Sequence, residues 1–326
     1  MATRLDLRGL TVELPTQSGW VRPVSDVSFK IAEGETLGVV GESGSGKTML
    51  ALALMGLEPA GARRTGEAWL LERGPADRRG VNLASAPSSD MRALRGREIA
   101  MIFQEPMTAL NPVMRIGAQV EEAIRVHAPE LDQTETRRRA LESLERAAVP
   151  EPERRSRQYP HQLSGGLRQR VMIAMAIAAG PGILIADEPT TALDVTVQKQ
   201  ILELLAKLRH ELRLSLLFIT HDLGVVGQIA DRILVMYAGR VVEEGPAAEV
   251  LRRPQHPYTE GLLRAAPRLA REKLVPIPGT VPSLDALPPG CAFSPRCDRR
   301  VPECDAAVPG FRDISPERRA RCILIS

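Results

Sequence analysis

The feature that most constrains this chain is the glycine-rich stretch GESGSGKT at residues 41–48, which matches the pattern G-x-x-x-x-G-K-[ST]. An apolar segment precedes it, and an apolar helical segment at residues 49–55 follows it. Gly41, Gly44 and Gly46 let successive backbone N–H groups turn toward one phosphate, while the following helix directs its N-terminal dipole at the same charge. A flexible glycine turn does not require this strand and helix context. The stretch therefore predicts a phosphate-binding loop, called the phosphate loop below.

The side chains of the phosphate loop complete a nucleotide site. Lys47 is expected to bridge the β- and γ-phosphates of ATP, and the Thr48 hydroxyl is expected to hold Mg²⁺. The predicted nucleotide contacts of the loop are Gly41, Ser43, Gly44, Ser45, Gly46, Lys47 and Thr48.

Composition limits the class of protein. The 326 residues predict one large domain plus an appendage, and 44% hydrophobic with 25% charged residues is ordinary for a soluble chain. A net charge of +3 is too small to indicate nucleic-acid binding. Charges interrupt every apolar run at the start, and the longest apolar segment, residues 171–186, is broken by Gly-Pro-Gly. We expect a cytosolic protein without a signal peptide, which reaches a membrane only through a partner.

The order of elements predicts an α/β fold. Alternating apolar residues at 5–14 and 24–31 indicate a small β-layer, and strands alternating with helices after the phosphate loop indicate a mostly parallel sheet. Residues 117–148 have a helical pattern and indicate an inserted helical subdomain, whereas residues 73–90 indicate a surface excursion. Prolines become dense after about residue 250, which predicts a domain boundary there and a loop-rich tail over residues 251–326.

Two adjacent carboxylates follow a buried-type strand. At the carboxyl end of residues 183–186, Asp187 is expected to hold Mg²⁺ and Glu188 to polarise the water that attacks the γ-phosphate. Gln104 follows another strand and is expected to reach the metal or that water by its amide. His221 ends a third strand and is expected to donate to the γ-phosphate. The alternatives are a turn residue for Gln104 and a structural histidine for His221.

Ser164, Gly165 and Gly166 open a second helix. A serine and two glycines at a helix N-terminus form an anion-binding end far along the chain from the phosphate loop. One nucleotide bound to one chain has no obvious use for both ends.

These motifs together resemble the nucleotide-binding subunits of ABC transporters over about residues 5–250. The phosphate loop corresponds to Walker A, Gln104 to the Q-loop, residues 163–166 to the signature, residues 183–188 to Walker B, residues 192–194 with Asp194 to the D-loop, and His221 to the switch histidine. The resemblance implies a P-loop NTPase fold with a helical subdomain at about 108–162, which docks a transmembrane partner. It also implies a head-to-tail dimer in which the signature of one subunit closes on ATP held by the other.

A narrower resemblance points to the ATPase subunits of dipeptide and oligopeptide permeases. It is carried by residues 103–112, 168–174, 190–196 and 256–259, and by the cysteine-containing tail. It implies an ATPase that powers peptide uptake from the cytoplasmic face of the inner membrane. The implied partners are two transmembrane permease subunits, a second and paralogous ATPase, and an extracytoplasmic solute-binding protein.

Three other functions are open at this point, and one of them is an iron–sulfur redox protein that happens to bind nucleotide. Nickel importers share parts of the same pattern, so nickel or another small solute is the first alternative. A soluble ABC ATPase acting on DNA or ribosomes is the second. It is disfavoured because the chain has one cassette and only about 115 residues between phosphate loop and signature, without a long coiled coil.

All four cysteines lie in the last 36 residues, with the spacing C-x5-C-x6-C-x17-C. In a reducing compartment such clustering favours a metal or cluster site over disulfides, and from spacing alone zinc is as admissible as iron–sulfur. In the permease family the similar region holds a [4Fe–4S] cluster. The resemblance therefore implies a cluster with the ligands Cys291, Cys297, Cys304 and Cys322. A structural role is favoured over a redox role, because the nearest phosphate chemistry needs no electron.

Two positions depart from the common ABC pattern. The fifth signature position is Leu167 where many members have glutamine, and we expect activity to be retained. The aromatic residue that stacks on adenine would fall near Ser18, whereas the local aromatic is Trp20. Trp20 is either that stacking residue or a loop anchor.

Overall fold

The computed structural model describes residues 2–17, 19–72, 80–266 and 275–325. Its strands are β1 (Thr3–Thr16), β2 (Gly19–Ala32), β3 (Thr36–Val40), β4 (Arg63–Leu71), β5 (Gly80–Asn82), β6 (Ile99–Ile102), β7 (Ile183–Asp187), β8 (Ser215–Thr220), β9 (Arg232–Tyr237), β10 (Arg240–Pro246), β11 (Arg312–Ser315) and β12 (Arg318–Ala320). Its helices are α1 (Lys47–Met55), α2 (Ser88–Leu94), α3 (Pro106–Ala109), α4 (Ile116–Arg125), α5 (Gln133–Arg146), α6 (Pro152–Ser156), α7 (Gly165–Ile177), α8 (Val195–Leu212), α9 (Leu223–Val226), α10 (Ala247–Arg252) and α11 (Pro257–Ala265). Short 3₁₀ turns lie at Pro160–Gln162, Ser294–Arg296 and Pro302–Asp305.

The chain has an α/β fold built on one main sheet, as the alternation of strands and helices predicted. In the described part of the chain that sheet has eight strands in the order β11-β12-β10-β9-β3-β8-β7-β6. The segment from β9 to β6 is parallel, and the remaining strands pair antiparallel. All residues of β3, β7 and β8 are buried, because both faces of a parallel sheet are covered. The carboxyl ends of these strands form the edge that carries the candidate site.

Successive residues of the central strands point to opposite faces of the main sheet. Ile183 and Ile185 pack with α1 and with a small antiparallel sheet of strand order β2-β1-β4-β5, whereas Leu184 and Ala186 pack with α4, α5, α7 and α8. The predicted small β-layer is therefore present, and its first two strands are longer than their alternating patterns suggested. The core has three layers, with the main sheet in the middle.

Helices α3 to α6 lie between β6 and α7 and form the helical insertion. The pattern over residues 117–148 divides into α4 and α5, because Asp132 caps α5 by accepting a hydrogen bond from the Glu135 backbone N–H at 2.8 Å. The bounds 108–162 for a separate subdomain remain a prediction. The predicted excursion at 73–90 is partly outside the described residues, and its described portion contains β5 and the start of α2.

The proline-rich tail joins the main sheet. Strand β12 pairs with β10, and β11 pairs with β12. The carboxylate of Glu243 on β10 is fully buried and accepts hydrogen bonds from the Gln255 and His256 backbone N–H groups at 3.0 and 2.9 Å and from Arg318 on β12 at 3.1 Å. The predicted boundary near 250 thus falls between segments that share one sheet, and the division into two domains stays a prediction.

Candidate nucleotide site

The phosphate loop lies between β3 and α1, at the carboxyl edge of the main sheet. Gly46 has a φ of +101°, and a Cβ placed there would lie 2.0 Å from the Pro23 carbonyl oxygen. A larger residue would meet both left-handed strain and a backbone clash. Glycine is therefore required at the position that starts the helix aimed at the phosphates.

Lys47 is buried and points back into the phosphate loop. Its ammonium group donates to the Gly41 and Glu42 carbonyl oxygens at 2.7 and 3.0 Å, and to the Ser45 hydroxyl at 3.4 Å. Burial lowers the pKa of Lys47, while the acidic groups of Glu188, Asp187 and Glu42 act in the opposite direction. The loop thus holds a desolvated cation at its centre, where a phosphate oxygen would gain most from it.

Thr48 and Asp187 are brought together from α1 and the end of β7. The Thr48 hydroxyl lies 3.4 Å from Asp187 Oδ1. Burial raises the pKa of Asp187 to about 6, the Thr48 hydrogen bond lowers it, and the neighbouring Glu188 carboxylate raises it further. Burial makes the Asp187 carboxylate costly to ionise without a nearby cation. Mg²⁺ prefers oxygen ligands, and this carboxylate and the Thr48 hydroxyl supply two of them side by side. These residues therefore fit the predicted metal.

Glu188 is the point on which the catalytic candidates converge. Its Oε2 atom lies 2.8 Å from the Thr191 hydroxyl, 3.1 Å from His221 Nδ1 and 3.5 Å from Gln104 Nε2. The hydrogen bond from His221 is the largest cause that lowers the pKa of Glu188, and the same bond raises the pKa of His221. The three ends of β6, β7 and β8 therefore deliver Gln104, Glu188 and His221 to one place.

Thr191 is a contact that the sequence interpretation did not assign. It lies three residues after Glu188, and Glu188 itself has a φ of +46°, a left-handed turn that brings the Thr191 hydroxyl back to the carboxylate. The signal available in the sequence was the Thr-Thr pair directly after Asp-Glu-Pro.

The signature residues form a second cleft with Asp194. Ser164 caps α7 and accepts from the Leu167 N–H, and Asp194 caps α8 and accepts from Thr196 and Val197 N–H groups at 3.0 and 2.9 Å. The cleft of about 370 Å³ is lined by Ser164, Gly165, Gly166, Leu167, Arg170, Ala192, Leu193, Asp194, Val197 and Gln200. No residue of the phosphate loop is in that lining. The signature cleft is therefore separate from the phosphate loop.

Trp20 lies near the tip of the β1–β2 hairpin. The guanidinium of Arg63 lies 3.9 Å from the centroid of its ring, and the side chain is 43% exposed. Trp20 also lines a cavity of about 310 Å³ between the hairpin and the tail. A stacking role toward adenine remains a prediction, and Ser18 lies outside the described residues.

The four cysteines lie around one narrow cavity in the tail. Cys291, Cys297, Cys304 and Cys322 line it together with His256, and all four are free thiols. Burial is the main cause that raises the pKa of Cys291, Cys297 and Cys322, and Cys304 adds to the rise of each. Within the described ranges, no group of three or more His, Cys, Asp or Glu side chains is arranged to hold a single metal ion.

The described helices include none that is both long and apolar enough to cross a lipid bilayer.

Two family comparisons match different parts of the chain. Residues 24–191 match the family described as ABC transporter, and residues 242–304 match the family described as oligopeptide/dipeptide transporter, C-terminal region. The first match ends at Thr191, so it covers Glu188 and Thr191 but not His221, and the second covers three of the four cysteines.

Among curated proteins, the chain is 49% identical to a putative peptide import ATP-binding protein of Brucella melitensis, over 98% of this chain and 96% of the relative. A protein of the same description from Brucella abortus is also 49% identical, over 98% of this chain and 95% of the relative.

Among solved structures, an ATP-binding cassette dimer in a post-hydrolysis state, bound to ADP and phosphate, is 30% identical. Its TM-score is 0.64, and the match covers 74% of this chain and 98% of that one. A component of an ABC transporter complex from Clostridium perfringens is 26% identical, with a TM-score of 0.61 and a match over 78% of this chain and 92% of that one.

Proposed function

The chain belongs to the ABC transporter family of ATPases, and from that premise we propose that it hydrolyses ATP to drive the import of dipeptides and oligopeptides. The observation that carries the proposal is the convergence of Gln104, Thr191 and His221 on the Glu188 carboxylate, beside the Thr48–Asp187 pair. This arrangement places a candidate base, a candidate metal site and a phosphate loop at one edge of one sheet.

The chain's own groups divide the work of hydrolysis. Lys47 and the backbone N–H groups of the phosphate loop bind the phosphates, and Thr48, Asp187 and Gln104 would hold Mg²⁺. When bound, Mg²⁺ neutralises charge on the transferred phosphoryl group. Glu188 orients a water and takes up its proton.

His221 and Gln104 position the reacting groups around Glu188. The His221 contact keeps Glu188 ionised by lowering its pKa, so the carboxylate is ready to accept a hydrogen bond from water. As the nucleotide enters, His221 would turn toward the γ-phosphate.

Two chains are needed for a complete site. The cleft formed by residues 164–166 with Asp194 contains helix N-termini but no part of the phosphate loop. A partner's phosphate loop, with its nucleotide, would supply the anion for that cleft. We infer a head-to-tail dimer, and a paralogous ATPase as the second subunit.

Force passes to the membrane through the helical insertion. Phe103, Met107 and Val113 are exposed around the start of that insertion, directly beside Gln104. We assign this apolar surface to a cytoplasmic helix of the permease subunits, since Gln104 links it to the metal site. The chain would then act at the cytoplasmic face of the inner membrane, in a system with two permease subunits and an extracytoplasmic solute-binding protein.

Peptide cargo is supported by the tail match and by the descriptions of the Brucella relatives. The test is transport by the reconstituted complex, with labelled dipeptides and Ni²⁺ as competing cargoes. ATP-dependent dipeptide uptake that Glu188→Gln abolishes is the expected result. Nickel uptake without dipeptide uptake would assign the chain to the alternative importer class.

We propose that Cys291, Cys297, Cys304 and Cys322 hold a [4Fe–4S] cluster. The four cysteines line one cavity, and burial together with the neighbouring cysteines raises the pKa of Cys291. A bound cluster supplies several positive charges and would offset the cost of holding four thiolates together. The cluster would join four loop segments that have little regular structure. Iron and acid-labile sulfide in anaerobically purified protein test this assignment, and stoichiometric zinc without iron would replace it with the zinc alternative.

A further inference from the structure

A partly buried ion pair joins the cysteine-containing tail to the phosphate loop. The guanidinium of Arg296 contacts both carboxylate oxygens of Glu42, with Nη1 2.7 Å from Oε2 and Nη2 3.0 Å from Oε1. The Arg296 side chain is 4% exposed and that of Glu42 is 30% exposed. This two-point geometry fixes the orientation of both groups, which a single contact would not do.

Arg296 is itself held in place within the tail. Its Nε atom donates to the Pro278 carbonyl oxygen at 2.9 Å, and its Nη1 atom lies 3.4 Å from the Tyr237 hydroxyl. The rings of Tyr237 and Phe293 meet edge-on at 5.3 Å and lie about 6 Å from the guanidinium carbon. These contacts therefore fix the position of the Arg296 guanidinium relative to Glu42.

The tail also holds the backbone of Glu42. The Glu42 N–H donates to the Tyr258 hydroxyl at 2.8 Å. Tyr258 is completely buried in the first turn of α11, and its ring packs against Tyr237 with centroids 4.6 Å apart. The tail thus fixes Glu42 at its side chain and at its backbone.

Glu42 lies next to the backbone groups that orient the Lys47 side chain, which are its own carbonyl and that of Gly41. Its carbonyl oxygen accepts from Lys47 Nζ at 3.0 Å and from the Ser45 N–H at 3.2 Å. Because the peptide unit is planar, a rotation at Glu42 moves this carbonyl and the Gly41 carbonyl that also accepts from Lys47. The direction of the Lys47 ammonium group therefore depends on where the tail holds Glu42.

We propose that Arg296 and Tyr258 are positioning residues for the phosphate loop, so that the tail sets the nucleotide affinity of the cassette. The proposal rests on the proposed function, because it concerns the same nucleotide site. It assigns the tail a task beyond holding a cluster: the tail keeps the loop in its phosphate-binding shape through Glu42.

The experiment measures the dissociation constant for Mg-ADP by calorimetry on the full-length chain. The variants are Arg296→Gln, Glu42→Gln, their double variant, Arg296→Lys and Tyr258→Phe. Arg299→Gln is the matched control, since Arg299 lies in the same segment but pairs with Glu260 at the tail surface. Unfolding temperature is recorded for every variant.

Arg296→Gln and Glu42→Gln should each weaken Mg-ADP binding about tenfold, as expected when one coupled charged contact is lost. The double variant should be no weaker than either single variant, because both remove the same interaction. Arg296→Lys should restore part of the affinity, and Tyr258→Phe should weaken binding about fivefold through the loss of one hydrogen bond. Arg299→Gln should bind as the unaltered chain does.

The proposal is overturned if Arg296→Gln lowers the unfolding temperature but binds Mg-ADP like Arg299→Gln, or if the two single effects add in the double variant. Should Arg296→Gln fail to fold, Arg296→Lys and Tyr258→Phe still test the claim, and unchanged binding in both would refute it. Nucleotide binding is independent of turnover. A chain that binds Mg-ADP with the expected pattern but never hydrolyses ATP would refute the proposed function and leave the positioning role intact.

Discussion

The nucleotide edge and the cysteine tail are ordered by different means. At the nucleotide edge, the ends of neighbouring parallel strands deliver Gln104, Glu188 and His221 to one point. In the tail, regular elements are short. The tail residues are held in place by the buried Glu243 carboxylate on β10, by the ion pair between Arg296 and Glu42, and by an aromatic cluster that includes Tyr237 and Tyr258. Side chains placed at the ends of regular elements are thus predictable from local sequence, whereas the proposed control of the site depends on contacts between distant residues.

The largest expected effect lies at the nucleotide edge and comes from Glu188→Gln. The amide keeps the shape of the side chain but cannot take a proton from water, so turnover should fall about 10² to 10⁴-fold. ATP binding should be retained, because Lys47 and Thr48 are unchanged. Steady-state ATPase assays and equilibrium binding on the same preparation measure both quantities, and normal hydrolysis would remove Glu188 from its role.

The largest effect in the tail is expected on stability, from Arg318→Leu. This change leaves the fully buried Glu243 carboxylate without its charged partner, which should lower the free energy of unfolding by about 3–5 kcal/mol. Denaturant unfolding measures the change. Lys199→Ala, which breaks an exposed pair with Glu203, is the control and should change the free energy by less than about 0.5 kcal/mol. Equal effects of the two variants would show that the tail is not anchored through Glu243.

Cys322→Ser separates the stabilising role of the tail from the chemistry at the sheet edge. Loss of one of the four proposed thiolate ligands should lower the free energy of unfolding by about 2 kcal/mol, a value typical of losing one cross-link. The turnover number should change less than about twofold, because no cysteine contacts the Glu188 cluster in the described structure. Calorimetric unfolding, iron content and ATPase rate are measured together. A large fall in turnover number with unchanged stability would indicate a direct role of the cysteine site in hydrolysis.

The smallest expected effect is that of Thr191→Val. This variant tests whether the Thr191 hydroxyl acts on the Glu188 carboxylate at the nucleotide edge. The variant removes a 2.8 Å hydrogen bond to Glu188 but leaves the His221 contact, so turnover should fall about fivefold, equivalent to roughly 1 kcal/mol. The KM for ATP should be nearly constant. Thr190→Val, one residue earlier, is the comparison variant, and an equal fall in both would show that Thr191 has no specific action on the carboxylate.

Much of the nucleotide edge could be predicted from sequence because its determinants are local. The apolar run before Asp187 indicated a buried strand, and the strand end fixed the place of the two carboxylates. The Asp132 cap that separates α4 from α5 also had a local signal, an acidic residue three positions before Glu135, which was not used in predicting the helical segment.

The contacts of the tail had no such signal. Arg296 and Glu42 are separated by 254 positions, and neither residue is unusual in its own segment. The pairing of β12 with β10 is also set by tertiary contacts, because short strands of mixed polarity gain their order from the partner strand. These features become visible only when distant segments are brought together.

The union of β12 with β10 has a consequence for biosynthesis. Before β12 is synthesised, β10 presents an uncovered row of backbone donors and acceptors, the kind of edge that recruits strands from other chains. A chain truncated before β12 would keep that edge exposed and should therefore aggregate, whereas pairing of β12 with β10 covers it.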